Sequence, residues 1–96
     1  PYDPAVHVRL AEHAARLGDW RRAVRERRAV VLLAPVDMAE ARYQLAHALW
    51  RGGDAASARR ELLRALEQAP SFAPAQDLLL RLQDAGRPAN PGREER

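Results

Sequence analysis

Cysteine is absent from the 96 residues, and so are lysine, isoleucine and threonine. Without cysteine there is neither a disulfide framework nor a thiolate metal site. Valine is the sole β-branched residue, and aromatics amount to only 5%. That composition disfavours strands and favours helices built from Ala and Leu. Long apolar runs are missing too: the longest, AVVLLA at 29–34, falls far short of the ~20 residues that cross a bilayer. The first ten residues, PYDPAVHVRL, contain no basic leader followed by an apolar stretch, so no signal peptide is read. A cytoplasmic location is the expectation, with a processed, exported chain left open. With no initiator Met, a fragment of a longer protein also stays open.

All sixteen basic residues are arginine, a usage that fits a GC-rich bacterial coding sequence. The formal charge of +3 is unevenly spread. Residues 16–28 hold six Arg against Asp19 and Glu26, a local +4, so the remainder sums to −1. The basicity is one patch.

What the chain does contain is an internal repeat. RLGDW at 16–20 is echoed by RGGDA at 51–55. A shift of 35 aligns residues 4–35 with 39–70 without a gap and gives ten identities, among them Leu10 with Leu45, Gly18–Asp19 with Gly53–Asp54, and Ala34–Pro35 with Ala69–Pro70. A fixed period of this length marks stacked supersecondary units. The punctuation gives each unit its shape. Gly18 and Gly53 suit the left-handed residue that ends a helix, and the aspartate after each suits the cap that begins the next. Stop beside start forces an antiparallel helix pair. Pro35 and Pro70 end the second helix of each pair. Asp37 and Glu40 make an acidic capping box, and Asp3–Pro4 opens the first helix.

The pattern predicts an all-α chain of five helices over 4–17, 20–34, 38–51, 55–69 and 72–85. Gly86 and Pro88 close the last one. The apolar faces read Val6, Leu10, Ala14, Leu17; Ala41, Leu45, Ala48, Leu49; Ala58, Leu62, Ala65, Leu66; and Ala75, Leu78, Leu79, Leu82. Their three-and-four steps are those of helices buried on one side. The expected organisation is one helical domain over 1–86, with units 4–38 and 39–72, a capping helix 72–85, and a flexible tail 87–96. Leu80, on the outer side of the fifth helix, is read as a tolerated surface residue or, with the first helix, as a route to self-association.

In these features the sequence resembles the tetratricopeptide repeat (TPR) family, whose units of about 34 residues follow W-x2-L-G-x2-Y…A-x3-F…P. Leu10, Leu45 and Leu79 stand in the Leu slot, followed by small Ala11 and Ala46 in the two full units. Ala23 and Ala58 fill the Ala slot, Pro35 and Pro70 the Pro slot, and Trp20 supplies an aromatic after the first turn. The departures are His7, Arg42 and Gln76 in the Trp slot, Arg27 and Leu62 in the Phe slot, and Leu80 where a small residue is usual. The resemblance covers 4–85 and implies an α-solenoid of antiparallel helix pairs. Trp20 is expected to be core, with Trp20→Ala costing ~3–5 kcal/mol.

The supply of catalytic groups is thin. Ser57 and Ser71 are the only serines, and both suit helix capping. His7, His13 and His47 make neither an i,i+4 metal pair nor an H-E-x-x-H motif, and RGGD lacks the Lys and spacing of a phosphate loop. No enzyme activity, metal or cofactor is expected. The resemblance instead implies an interaction module whose groove is lined by the first helix of each pair. Carried onto this chain, that stripe is Val8, Glu12, Arg16, Tyr43, His47, Trp50, Arg51, Asp77 and Arg81. Tyr43, His47 and Trp50 step by four and three, so they share a face. Rings beside an Arg suit a peptide carrying a carboxylate, although the same rings can simply pack on neighbouring helices. Chaperone-binding members grip a terminal carboxylate with Lys and Asn; here only Arg81 suits, and Glu12 and Asp77 would repel it. The partner is thus a protein or peptide segment, or another domain of the same parent chain. The alternative surface is Arg21, Arg22, Arg25 and Arg28 on the second helix, read either as a solvated face or as a site for nucleic acid or an acidic protein. The absence of an exposed aromatic among these arginines argues against nucleic acid.

Overall fold

Four aspartates open four of the helices. The computed structural model of the chain describes residues 3–33 and 36–86. It places α1 at Pro4–Arg16, α2 at Trp20–Leu32, α3 at Met38–Arg51, α4 at Ala55–Gln68 and α5 at Ala73–Gly86. Asp3, Asp19, Asp37 and Asp54 are the N-caps of α1 to α4, each carboxylate accepting from a backbone N–H of the first turn. The described residues are all-α, as the pattern predicts. Pro35, Pro88 and the tail 87–96 lie outside the described residues.

The two helix-to-helix turns are built alike. Gly18 and Gly53 have φ of 75° and 94°. The N–H of Asp19 donates to the Ala14 carbonyl at 2.8 Å, and that of Asp54 to the Leu49 carbonyl, also at 2.8 Å. These are the six-to-one bonds of a left-handed helix stop, and they recur at an offset of 35. The chain then reverses, so α1 and α2, and α3 and α4, lie antiparallel. Before Pro70, Ala69 takes φ −139° and ψ 82°, as the proline ring requires of its predecessor, and α4 stops at Gln68. The capping box is half formed: the Glu40 N–H donates to Asp37, while the Glu40 carboxylate accepts from Gln44 at 2.7 Å.

A second equivalence was not foreseen. The His7 ring meets the Glu26 carboxylate at 2.7 Å, and Arg42 donates to Glu61 at 3.0 Å. His7 and Arg42 are 35 apart, as are Glu26 and Glu61, so each pair of helices carries one polar clasp at the same place. Two of the three residues that depart from the Trp slot, His7 and Arg42, are thus used as polar partners of a glutamate, with both glutamates largely covered.

Each helix packs on the next in the chain, and α3 also touches α5. The main core joins Leu45, Leu49, Leu62, Leu78 and Leu82 with Ala46, Ala58, Ala65 and Ala75. A smaller cluster holds Ala14, Ala23 and Ala48. Alanines let the helix axes approach, and the leucines fill the space left.

Two expectations about the core require correction. On α1, Ala11 and Ala14 are buried, but Val6, Leu10 and Leu17 are 46%, 41% and 71% exposed. Their equivalents Ala41 and Leu45 are covered because α2 packs on α3, whereas among the described residues no helix lies on the corresponding side of α1. Trp20, expected in the core, is only partly buried: it packs beside Ala14, Ala23 and Ala48 and keeps the rest of its ring at the surface. The cost of Trp20→Ala accordingly falls below the full-burial range of ~3–5 kcal/mol. Leu80 is 58% exposed, as read from its position.

Candidate functional site

Helices α1, α3 and α5 border a row of three joined depressions. The first is lined by Val8 and Glu12 of α1, Arg27 and Val30 of α2, and Glu40 and Gln44 of α3. The second, of about 400 Å³, shares Glu12, Arg27 and Gln44 with it and adds Arg16, Trp20 and His47. The third shares His47 and is completed by Tyr43, Trp50, Pro74, Asp77 and Arg81. Of the nine residues assigned to the groove stripe, Val8, Glu12, Arg16, Tyr43, His47, Trp50, Asp77 and Arg81 therefore line this row. Arg51 does not. Its guanidinium lies over the Trp20 ring, 4.7 Å from the centroid, and faces a different cleft. Arg51 stands one turn from His47 on the same side of α3, so its stacking on Trp20, and not the helix register, carries it out of the row.

Aromatic contacts stiffen the middle of the row. His47 stands edge-on to Trp50 at 5.6 Å and to Trp20 at 6.2 Å between ring centroids. Tyr43 lies 6.4 Å from His47 and makes a T-shaped contact with Phe72 at 5.9 Å. Such edge-to-face arrangements fix ring orientation while leaving a face free. Tyr43, His47 and Trp50 all remain partly exposed. The rings pack on their neighbours and also line the surface. His47 is the hinge of the set, since it is shared by two of the depressions.

The electrostatics are mixed along the row. Burial holds the His47 pKa below the usual histidine value, with Arg51, Arg27 and Arg81 adding to the effect. The ring is accordingly neutral at physiological pH, free to donate one hydrogen bond and accept another. Arg27, partly buried in the row, has its pKa lowered by desolvation, which Glu12 and Glu40 oppose. It makes no ion pair within 4.0 Å among the described residues.

Arg27 and Phe72 were missed from sequence. Arg27 carries a signal in retrospect, being a charge where its repeat equivalent is the fully buried Leu62. Phe72, a lone ring between Pro70 and Pro74, carried none that periodicity could detect.

The basic surface also differs from expectation. Arg21, Arg25 and Arg28 line the cleft that Arg51 and Trp20 border, while Arg22 is exposed outside its lining. Trp20 thus interleaves with the arginines, where none was expected. Ser57 is occupied in capping: its N–H donates to Asp54 at 3.0 Å and its hydroxyl accepts from Arg60 at 2.9 Å. Among the described residues no three His, Asp or Glu side chains group to hold a metal ion, and no helix is long and apolar enough to cross a membrane. No protein-family model matches the chain, and no curated protein matches it closely.

Proposed function

We propose that the chain is a non-catalytic helical-repeat interaction module of the TPR kind, holding a peptide or partner segment in the groove that runs along α1, α3 and α5. One observation carries this reading: the continuous row of depressions in which Tyr43, His47 and Trp50 stay partly exposed, bordered by Arg16 and Glu12 on one side and Asp77 and Arg81 on the other. Rigid rings that expose an apolar face beside forked and carboxylate groups recognise peptides at low entropic cost. The 35-residue recurrence of turns and polar clasps supports the repeat assignment. The test is selection of a displayed peptide library on the wild-type chain, followed by binding to Tyr43→Ala/Trp50→Ala. Selected peptides should lose at least tenfold in affinity on the folded variant, as for truncated aromatic anchors. Equal binding to both would remove the groove from the account.

A second reading is favoured by the bare side of α1. Leu10 is 41% exposed where Leu45 is 3%, and Val6 is 46% where Ala41 is 7%. On this reading the chain is a segment of a larger protein or assembly, and a helix comparable to α2 covers that stripe. It predicts binding of an apolar dye, or association at high concentration, that Val6→Glu/Leu10→Glu abolishes. A chain that shows neither retains only the first reading.

A further inference from the structure

Helices α2 and α4 both pack on α3 but scarcely on one another. The space left between α2 and the α3–α4 turn is a cleft of about 740 Å³ whose lining has Trp20 in common with the groove and nothing else. Its floor is apolar, made of Val24, Ala29 and Leu49, and Leu32 at its end is 84% exposed. Gly52 shapes the wall: a Cβ there would stand 3.3 Å from both the Trp20 Cβ and the Ala48 carbonyl, so a larger residue would press Trp20 outward by a few tenths of an ångström.

The rim is cationic. Arg21, Arg25 and Arg28 come from one side and Arg51 from the other, all exposed. The acid in the lining, Asp54, is engaged in capping α4. Arg25 reaches Glu26 only at 4.0 Å, and that carboxylate is already held by His7 at 2.7 Å. Arg21, Arg28 and Arg51 make no ion pair within 4.0 Å among the described residues. Arg21 stands in the first turn of α2, where the helix dipole disfavours a cation, so its placement does not serve α2 itself.

We propose that this cleft is a second docking site, distinct from the groove, for an acidic amphipathic helix of a protein partner. Arg21, Arg25 and Arg28 follow one another at i, i+4 and i+7, a span of about 10 Å. A helix laid along α2 repeats that spacing with Asp or Glu one turn apart, and its neighbouring apolar stripe covers Val24, Ala29 and Leu49. A nucleic-acid backbone would satisfy the arginines but leave the apolar floor open. Trp20, the one ring present, is already covered by Arg51 and is not free to stack a base.

The test is fluorescence anisotropy with labelled helical peptides that carry three glutamates one turn apart beside a leucine stripe. The peptides should bind saturably at about 50 mM salt and more weakly as salt rises. Exchanging their glutamates for glutamine, or making Arg21→Glu/Arg25→Glu/Arg28→Glu in the chain, should each cost about tenfold or more. The arginines are exposed, so circular dichroism of the triple variant should match the wild type. Tyr43→Ala/Trp50→Ala should leave this affinity unchanged, which separates the cleft from the groove. Absence of saturable binding, indifference to the glutamine exchange, or displacement of the peptide by a lower concentration of an arbitrary DNA duplex would each overturn the proposal.

Discussion

Replacing Leu45 by alanine, and separately Leu10 by alanine, deletes the same side chain from the same place in the two halves of the repeat. The structure assigns the two changes different costs. Leu45 is 3% exposed and packs within the cluster of Leu49, Leu62 and Leu78. Its loss removes the transfer energy of the deleted carbons and leaves a cavity that tightly packed neighbours close only in part, together about 2–5 kcal/mol. Leu10 is 41% exposed on a side of α1 that no other helix covers among the described residues. There, only the covered part of the side chain counts and water fills the space, so the loss is about 1 kcal/mol. The difference of roughly 2 kcal/mol is readable from urea midpoints followed by far-UV circular dichroism, given unchanged slopes. Losses equal within about 0.5 kcal/mol, the scatter of independent sites, would refute the claim that α2 covers α3 while α1 stands uncovered.

Other consequences are as specific. Gly18→Ala and Gly53→Ala should each destabilise by about 1–2 kcal/mol through the left-handed backbone alone, since a Cβ at either position meets nothing within 4 Å. Asparagine, which tolerates that conformation, should recover part of the loss, and chemical denaturation of the four variants measures both effects. His47 titrates lower in the fold than in the unfolded chain, because burial and the nearby arginines oppose its charge. The unfolded chain therefore takes up the proton first. The stability that this shift supplies is present above the unfolded value of about 6.5 and is lost as pH falls through and below it. His47→Gln should flatten the pH dependence of stability in that range; an unchanged slope would show that the ring titrates normally.

Much of the architecture was legible because it rests on local chemistry. Gly-Asp pairs fix a helix stop beside a helix start whatever surrounds them, so helix number, order and ends followed from the sequence to within two residues. The faces of α3, α4 and α5 were legible for the same reason. The face of α1 was not, because its apolar steps match those of a buried helix and periodicity does not reveal whether another helix covers them. The clasps His7–Glu26 and Arg42–Glu61 escaped notice because each joins residues 19 apart across a turn. Arg51 was assigned to the groove stripe as the repeat equivalent of Arg16, yet its long side chain turns to stack on Trp20, a contact between helices that spacing does not reveal. Arg27 escaped because a charge in a position expected to be core was read as a departure and not as part of the surface.

The groove is tested most directly by an amide chemical-shift titration with a peptide selected from the displayed library. The account predicts that the largest shifts fall on residues 43–50 of α3 and 77–81 of α5, with smaller ones on 8–16 of α1. Shifts confined to the opposite side of α3 and α4, with the amides around His47 unmoved, would contradict it.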